Sequence, residues 1–406
     1  MDFLFTFLNF LQPGILWPAL AEYRPFLTIA LLMAAVGYFR TSLYPRAEAF
    51  RHPIFLYLSA FLGVQVLSVY YSGGRSMLDE FNYWSVYIEF VIISILLINE
   101  PPALRRYVWG MIAGSMVIVF YGIYAVYAGL PSAVGGRAGA YGMYENHNDY
   151  SFIIIMSLPY MYMFWKTHSG TSVRLLLVFF MLSCVAGIFL SLSRGGVLAL
   201  VLEAMLIVLF AVERGKRFRY FFLIALLGTA AISYQWATRA ENQGESYTAE
   251  DAEYSRIELW KAGKNMVTSH PLLGVGSRRF GEFSQEYGEI SGYNKGKNSH
   301  NTYVEIISTS GFLGFIPFVL MLRKLSRGLN RSAVESWQEW LDPIRKATLI
   351  SFYAILFRAI FDAKAHDWSL YVLASIAIAC VMLQRSSEVA KRDKTEAMVS
   401  EGAVDA

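Results

Sequence analysis

Four short stretches carry side chains suited to chemistry on an anionic substrate. The first is Ser193-Arg194-Gly195-Gly196, where one apolar run ends and the next begins almost at once. Two adjacent glycines permit a tight reversal. An arginine there either snorkels to lipid headgroups or holds out a fixed guanidinium, whose planar fork matches phosphate oxygens two at a time. The second is Arg137, in Gly135-Gly136-Arg137-Ala138-Gly139, where the backbone can approach a ligand closely. That loop runs on into Glu145-Asn146-His147-Asn148-Asp149, and Asn148 or Asp149 is expected to cap the helix that follows. The third is Arg256, with Lys261 and Lys264 one to two turns on; on residue type alone this is a solvated basic face. The fourth is His300, within Asn298-Ser299-His300-Asn301. Imidazole is the usual general base near neutral pH, although a single loop histidine more often serves as a hydrogen-bonding group.

Metal and disulfide chemistry find little support. His147, His300 and His366, with Asp149, Asp362 and Asp367, are ligand types, but none falls in an HExxH-like spacing. No metal or other cofactor is expected. Cys184 and Cys380 both lie inside apolar stretches, without CxxC spacing for zinc or the pattern of a disulfide framework.

The elements that must position these residues follow from composition. Of 406 residues 55% are apolar and only 16% are charged, and mean hydropathy is +0.40. Soluble domains carry about 25% charged residues, so a disordered chain is excluded and a soluble enzyme is improbable. About 20 apolar residues cross the hydrocarbon. About twelve such segments are expected, over 3–20, 24–40, 53–71, 81–98, 107–128, 150–166, 174–192, 196–212, 219–236, 302–322, 346–361 and 367–384. They are continuous runs rather than alternating ones, which excludes a β-barrel. The fold class is therefore all-α and polytopic. The amino terminus lacks a basic n-region, so no cleaved signal peptide is expected.

With the amino terminus inside, twenty-one Lys and Arg fall on inner segments and five on short outer loops. That asymmetry sets both termini in the cytoplasm and the 237–301 loop outside. Within this loop, 255–267 is amphipathic, with Ile257, Trp260 and Val267 at helical spacing. Pro271 and Gly274-Val275-Gly276 end it, and a second short helix is expected over 277–288. Residues 1–385 form the membrane domain, loop included, and 386–406 a polar, disordered cytoplasmic tail.

Three stretches together resemble a known family. They are Ser193-Arg194-Gly195-Gly196; Arg256…Trp260…His270-Pro271-Leu272-Leu273-Gly274-Val275-Gly276; and Ser299-His300-Asn301-Thr302-Tyr303…Gly311-Phe312-Leu313-Gly314. Over roughly 130–320 the chain is similar to the O-antigen ligase and O-antigen polymerase superfamily of bacterial inner-membrane glycan transferases. The 137–148 segment resembles the family's Arg-Gly…Pro-Asn stretch, with His147 where proline is usual.

The resemblance implies a GT-C-like transferase of lipopolysaccharide biosynthesis, working at the periplasmic face of the inner membrane. The donor would be a glycan on undecaprenyl diphosphate. The acceptor would be a hydroxyl of lipid A–core, of another lipid-linked glycan, or of a protein; nucleic acid plays no part. Arg194 and Arg256 would bind the diphosphate and stabilise its growing charge without a metal, with Arg137, Asn148 and Asn301 as further contacts to diphosphate or glycan. His300 would act as general base, giving inversion. The competing class is a transporter or flippase, which needs charges deep in the membrane; Glu89, Glu203 and Arg358 are the candidates, or else structural ion pairs.

Overall fold

A computed structural model describes all residues except 17–24, 74–75, 244–248, 292–293, 331–337, 364–367 and 405–406. Among the described residues every regular element is a helix. In chain order, α1 (Asp2–Leu11), α2 (Pro13–Leu16), α3 (Pro25–Phe39), α4 (Arg46–Phe50), α5 (Pro53–Ser72), α6 (Met77–Leu97) and α7 (Pro101–Ala128) make the first half. There follow α8 (His147–Thr167), α9 (Thr171–Leu190), α10 (Arg194–Ala211) and α11 (Arg214–Gln243). The loop helices are α12 (Ala249–Ser269) and α13 (Phe280–Tyr287), and α14 (Thr302–Asn330), α15 (Asp342–Arg358) and α16 (Trp368–Val404) close the chain.

Among the described residues each expected span overlaps helix, the first (3–20) being divided between α1 and α2 and running on outside the described residues, but the count of twelve is not reached by length and apolarity. Eight helices among the described residues are long and apolar enough to cross a membrane: α5, α6, α7, α9, α10, α11, α14 and α16. α1, α3 and α15 are shorter, at 10, 15 and 17 residues. α8 is long enough but opens on His147-Asn148-Asp149 and carries Lys166 at its end. The polar segment after Gln384, expected as a disordered tail, continues α16 as helix to Val404. The amphipathic loop segment is longer than expected, at 21 residues, and the second loop helix is shorter, at 8.

Buried polar side chains tie the bundle together, as they do where lipid removes any hydrophobic drive between helices. Tyr150 on α8 donates to the Val119 carbonyl of α7 at 2.8 Å. Tyr160 reaches Thr348 Oγ1 of α15 at 2.9 Å, and Ser351 donates to the Met156 carbonyl at 2.8 Å. Asp2 is fully buried and pairs with Arg40 at 3.0 Å and Arg106 at 2.7 Å, fixing the start of α1 to the ends of α3 and the start of α7. By contrast α11 leaves Phe218, Phe222, Leu226 and Leu227 exposed, the surface expected of a helix facing lipid.

α14 is interrupted, and the interruption explains two of the sequence motifs. Gly311 has φ 59° and ψ −165°, a region open essentially to glycine. The break frees backbone groups that need new partners, and the 271–276 strand of loop supplies them. Phe312 and Leu313 donate to the Pro271 and Leu272 carbonyls at 2.8 and 3.1 Å. Val275 and Gly276 donate to the Ser308 and Thr309 carbonyls, both at 3.0 Å. A Cβ at Gly311 would lie 2.3 Å from Leu272, and one at Gly274 2.5 Å from the Ser308 carbonyl. The Pro-Leu-Leu-Gly-Val-Gly stretch and the Gly-Phe-Leu-Gly stretch are thus two sides of one backbone joint, which seats the loop that carries α12 and α13 on the bundle.

A second joint holds the loop further on. Glu80 at the start of α6 is fully buried and accepts from Arg278 Nη2 at 2.7 Å and from Trp84 Nε1 at 2.8 Å. Arg278 lies over the Tyr83 ring at 3.7 Å, with its own backbone at φ 58°.

Candidate functional site

The site is assembled at the end of the bundle where α8, α10 and α14 begin and α9 and α15 finish. Ser193 caps α10: its Oγ accepts from Gly196 N at 3.2 Å. Arg194 is therefore the first residue of that helix, where the dipole favours an anion. The same Ser193 hydroxyl donates to Asn148 Oδ1 at 2.9 Å. α8 is capped two or three residues earlier than expected, by Asn146, which accepts from Asn148 N at 2.8 Å. Asn148 thus sits in the first turn and reaches across to α10. The Arg137 loop is stitched to the same turn: Arg137 Nε donates to the Ser191 carbonyl at 3.0 Å and Ala138 N to Leu190 O at 2.8 Å. His147 Nδ1 lies 3.1 Å from the Ala138 carbonyl.

His300 stands opposite, just before α14. Its backbone is left-handed, with φ 50°, a conformation uncommon outside glycine and enriched in Asn, Asp and His. The residues on either side are pinned. Ser299 N donates to Glu305 Oε2 at 2.9 Å, and the Ser299 carbonyl accepts from Trp260 Nε1 of α12 at 3.0 Å. Asn301 Oδ1 accepts from Tyr303 N and Val304 N at 3.0 and 3.2 Å, which makes it the cap of α14. Thr302 is fastened to the end of α15: its N donates to Ala359 O at 2.9 Å and its hydroxyl to the Asp362 carbonyl at 2.7 Å.

That last joint brings in two residues that the motifs do not contain. Asp362, 6% exposed, places Oδ1 3.8 Å from His300 Nδ1 and Oδ2 3.8 Å from Arg358 Nη2. Arg358 is only 1% exposed. Arg358, one of the three deep charges, thus forms an ion pair with Asp362, four residues on. Glu203 is buried, and neither of its carboxylate oxygens has a hydrogen-bond partner among the described residues, whereas Glu89 lines an open cavity of about 480 Å³ beside α1, α3 and Trp368. Arg256 on α12 places its guanidinium 5.9 Å from the centroid of the Phe361 ring, next to Asp362.

The six residues singled out from sequence fall into three groups, each at one of the turns described above. Arg137, Asn148 and Arg194 gather at the α10 turn, His300 and Asn301 at the start of α14, and Arg256 over the end of α15. The arrangement offers several guanidiniums for an anion and an imidazole backed by a carboxylate for proton transfer. In the loop that carries α12 and α13, Asn294 donates to Glu258 at 2.9 Å and holds that carboxyl below its usual range. His366 and Asp367 lie outside the described residues.

Residues 176–319 match a family model described as O-Antigen ligase. No curated protein matches the chain. The matched stretch runs from α9 into α14 and holds Arg194, Arg256, His300 and Asn301. Arg137 and Asn148 precede it, and Arg358 and Asp362 follow it.

Proposed function

We propose, for a chain whose residues 176–319 match a family model described as O-Antigen ligase, that it transfers a glycan from undecaprenyl diphosphate to an acceptor hydroxyl at the periplasmic face of the bacterial inner membrane. O-antigen ligation to lipid A–core is the favoured form of the reaction. The observation that carries the reading is the convergence of His300, backed by Asp362, with the Arg194 turn and Arg256 at one end of the bundle.

Nδ1 of His300 faces Asp362 at 3.8 Å, so Nε2 is the nitrogen available to an acceptor. At that distance the two groups are in ion-pair range but not hydrogen-bonded, and catalytic contacts of this kind commonly tighten only when substrate binds. Nε2 takes the acceptor hydroxyl proton as the oxygen attacks the anomeric carbon. The bond from that carbon to the diphosphate oxygen breaks, and its electron pair leaves with the lipid diphosphate. Attack opposite the leaving group inverts the anomeric centre. Arg194, at the positive end of α10, and Arg256 stabilise the departing charge, with Arg137 beside them. This leaves no step that requires a metal. Asn148 and Asn301 each commit Oδ1 to protein contacts, so any contact of theirs to diphosphate or glycan runs through Nδ2.

The test is transfer by purified protein from an undecaprenyl-diphosphate glycan to lipid A–core, to a second lipid-linked glycan, or to a Ser/Thr peptide, in EDTA. Transfer to lipid A–core is expected, with His300→Ala losing about 10²- to 10⁴-fold. Strict dependence on a divalent metal, or unimpaired His300→Ala, would overturn the mechanism. Product formed only with one of the other acceptors would reassign it within the superfamily.

A further inference from the structure

We propose that Arg358 is a positioning residue that holds the two halves of the site in register, the diphosphate turn at Ser193–Gly196 and the Asp362–His300 pair. The inference rests on the proposed transferase reading, and goes beyond it by adding a residue that lies outside the family match and touches no substrate.

A guanidinium buried to 1% exposure is expensive to desolvate, by several kcal/mol even after relaxation. The surroundings are built to receive it. Its Nη2 lies 3.5 Å from Ser193 Oγ and 3.8 Å from Asp362 Oδ2. Its flat face lies 4.9 Å from the centroid of the Phe152 ring on α8, a cation–π contact. Its remaining face presses on Gly195. A Cβ there would come within 3.0 Å of Nη1, 3.1 Å of Cζ and 3.3 Å of Nε.

One cation therefore touches α8, the first turn of α10 and the turn after α15. Ser193 is the cap that orients Arg194, and Asp362 is the carboxylate that faces His300. Both contacts run from Nη2, whose two N–H groups can serve one partner each, while the planar guanidinium lies over the Phe152 ring. Gly195 in the Arg-Gly-Gly turn is explained by the same contact. Its missing side chain leaves room for the guanidinium as well as for the chain reversal.

The experiment measures transfer from an undecaprenyl-diphosphate glycan to lipid A–core by Arg358→Ala, Arg358→Lys and Gly195→Ala. Arg358→Ala should lower kcat about 100-fold while changing the KM for the donor less than about threefold, because Arg194 and Arg256 remain. Arg358→Lys should recover part of the loss. Added methylguanidinium should raise Arg358→Ala at least tenfold, since the deletion leaves a guanidinium-sized space beside Phe152 and Asp362. Failure of both lysine and methylguanidinium to restore turnover in folded protein would reduce Arg358 to a structural ion pair and overturn the proposal, as would an Arg358→Ala enzyme within twofold of wild type.

If Arg358→Ala does not fold, the pair Gly195→Ala and Arg358→Lys decides. Gly195→Ala should lower kcat about tenfold in the wild-type background and less than threefold in Arg358→Lys, where the side chain no longer fills that space. Additive effects would refute the contact's role. His300→Ala separates the two readings. Should it retain activity, the base assignment falls and takes this inference with it. Should it be inactive while Arg358→Ala is normal, only the inference on Arg358 falls.

Discussion

Replacing Asp362 by Asn asks how much of the base's work depends on its carboxylate. The change is nearly isosteric. The backbone carbonyl that holds Thr302 is untouched, and the amide oxygen can still accept from Ala363 N, as Oδ1 does at 3.0 Å. What disappears is a negative charge 3.8 Å from Nδ1 of His300, which becomes cationic as it takes the acceptor proton. At an effective dielectric near 20, two unit charges at that distance interact by about 4 kcal/mol. The imidazole side chain is 39% exposed, and solvent screening at such a group removes more than half of this. Arg358, equally distant from the other oxygen, loses its counter-charge at the same time and works against the imidazolium. The net loss is about 1–2 kcal/mol of transition-state stabilisation, or about 5- to 30-fold in kcat. The assay is single-turnover transfer to lipid A–core, run beside His300→Ala and with thermal unfolding as a control for folding. A kcat within twofold of wild type would show that Asp362 does not support the base. A loss as large as that of His300→Ala would make Asp362 itself the proton acceptor.

Two further outcomes follow from charges away from the reacting centre. Glu80→Gln leaves Arg278 without its buried counter-charge and should lower stability by about 1–3 kcal/mol, read as a lower midpoint of thermal unfolding in detergent and faster proteolysis within 249–300; an unchanged midpoint and cleavage rate would show that this pair does not anchor the loop. His52, the cap of α5, is 7% exposed, and burial, then Arg385 and Lys324, depress its pKa from 6.5 to about 4. Below pH 6.5 the unfolded chain then binds a proton that the folded one refuses, so stability is whole above 6.5 and declines as pH falls toward 4, by at most about 3 kcal/mol. His52→Asn keeps a capping oxygen and should flatten that slope; parallel stability curves for the two proteins would sink the assignment.

Much of this site is legible in the chain because its motifs answer to local demands. Ser193 and Gly196 form a cap that can be recognised from residue type, and Asn301 caps α14 within its own turn. What escapes a linear reading is any requirement set by a distant partner. Asn148 has the chemistry of a cap, yet Asn146 takes that role and Asn148 binds Ser193, 45 residues on. The glycines of 274–276 and 311 look like separate loop and helix signals, but they face each other across one backbone joint. Span counting fails for a related reason. At two of the helices that meet at the site, α8 keeps His147, Asn148 and Asp149 at its head and α15 is short and ends on Arg358.

Arg358 and Asp362 mark the sharpest case. They stand four residues apart at the close of an apolar run, the spacing at which opposite charges pair on a helix. That signal is present in the sequence, where the spacing itself points to a local ion pair. Only the fold shows that this pair lies between the Arg194 turn and His300, with its cation against Gly195 and its anion facing the imidazole. A membrane protein keeps a buried guanidinium only where the surroundings meet its charge. Here they do so through the same two groups, Ser193 and Asp362, that lead directly to the candidate donor site and the candidate base. The burial of Arg358 and the geometry of the site are therefore not independent facts, and a substitution that relieves one should disturb the other.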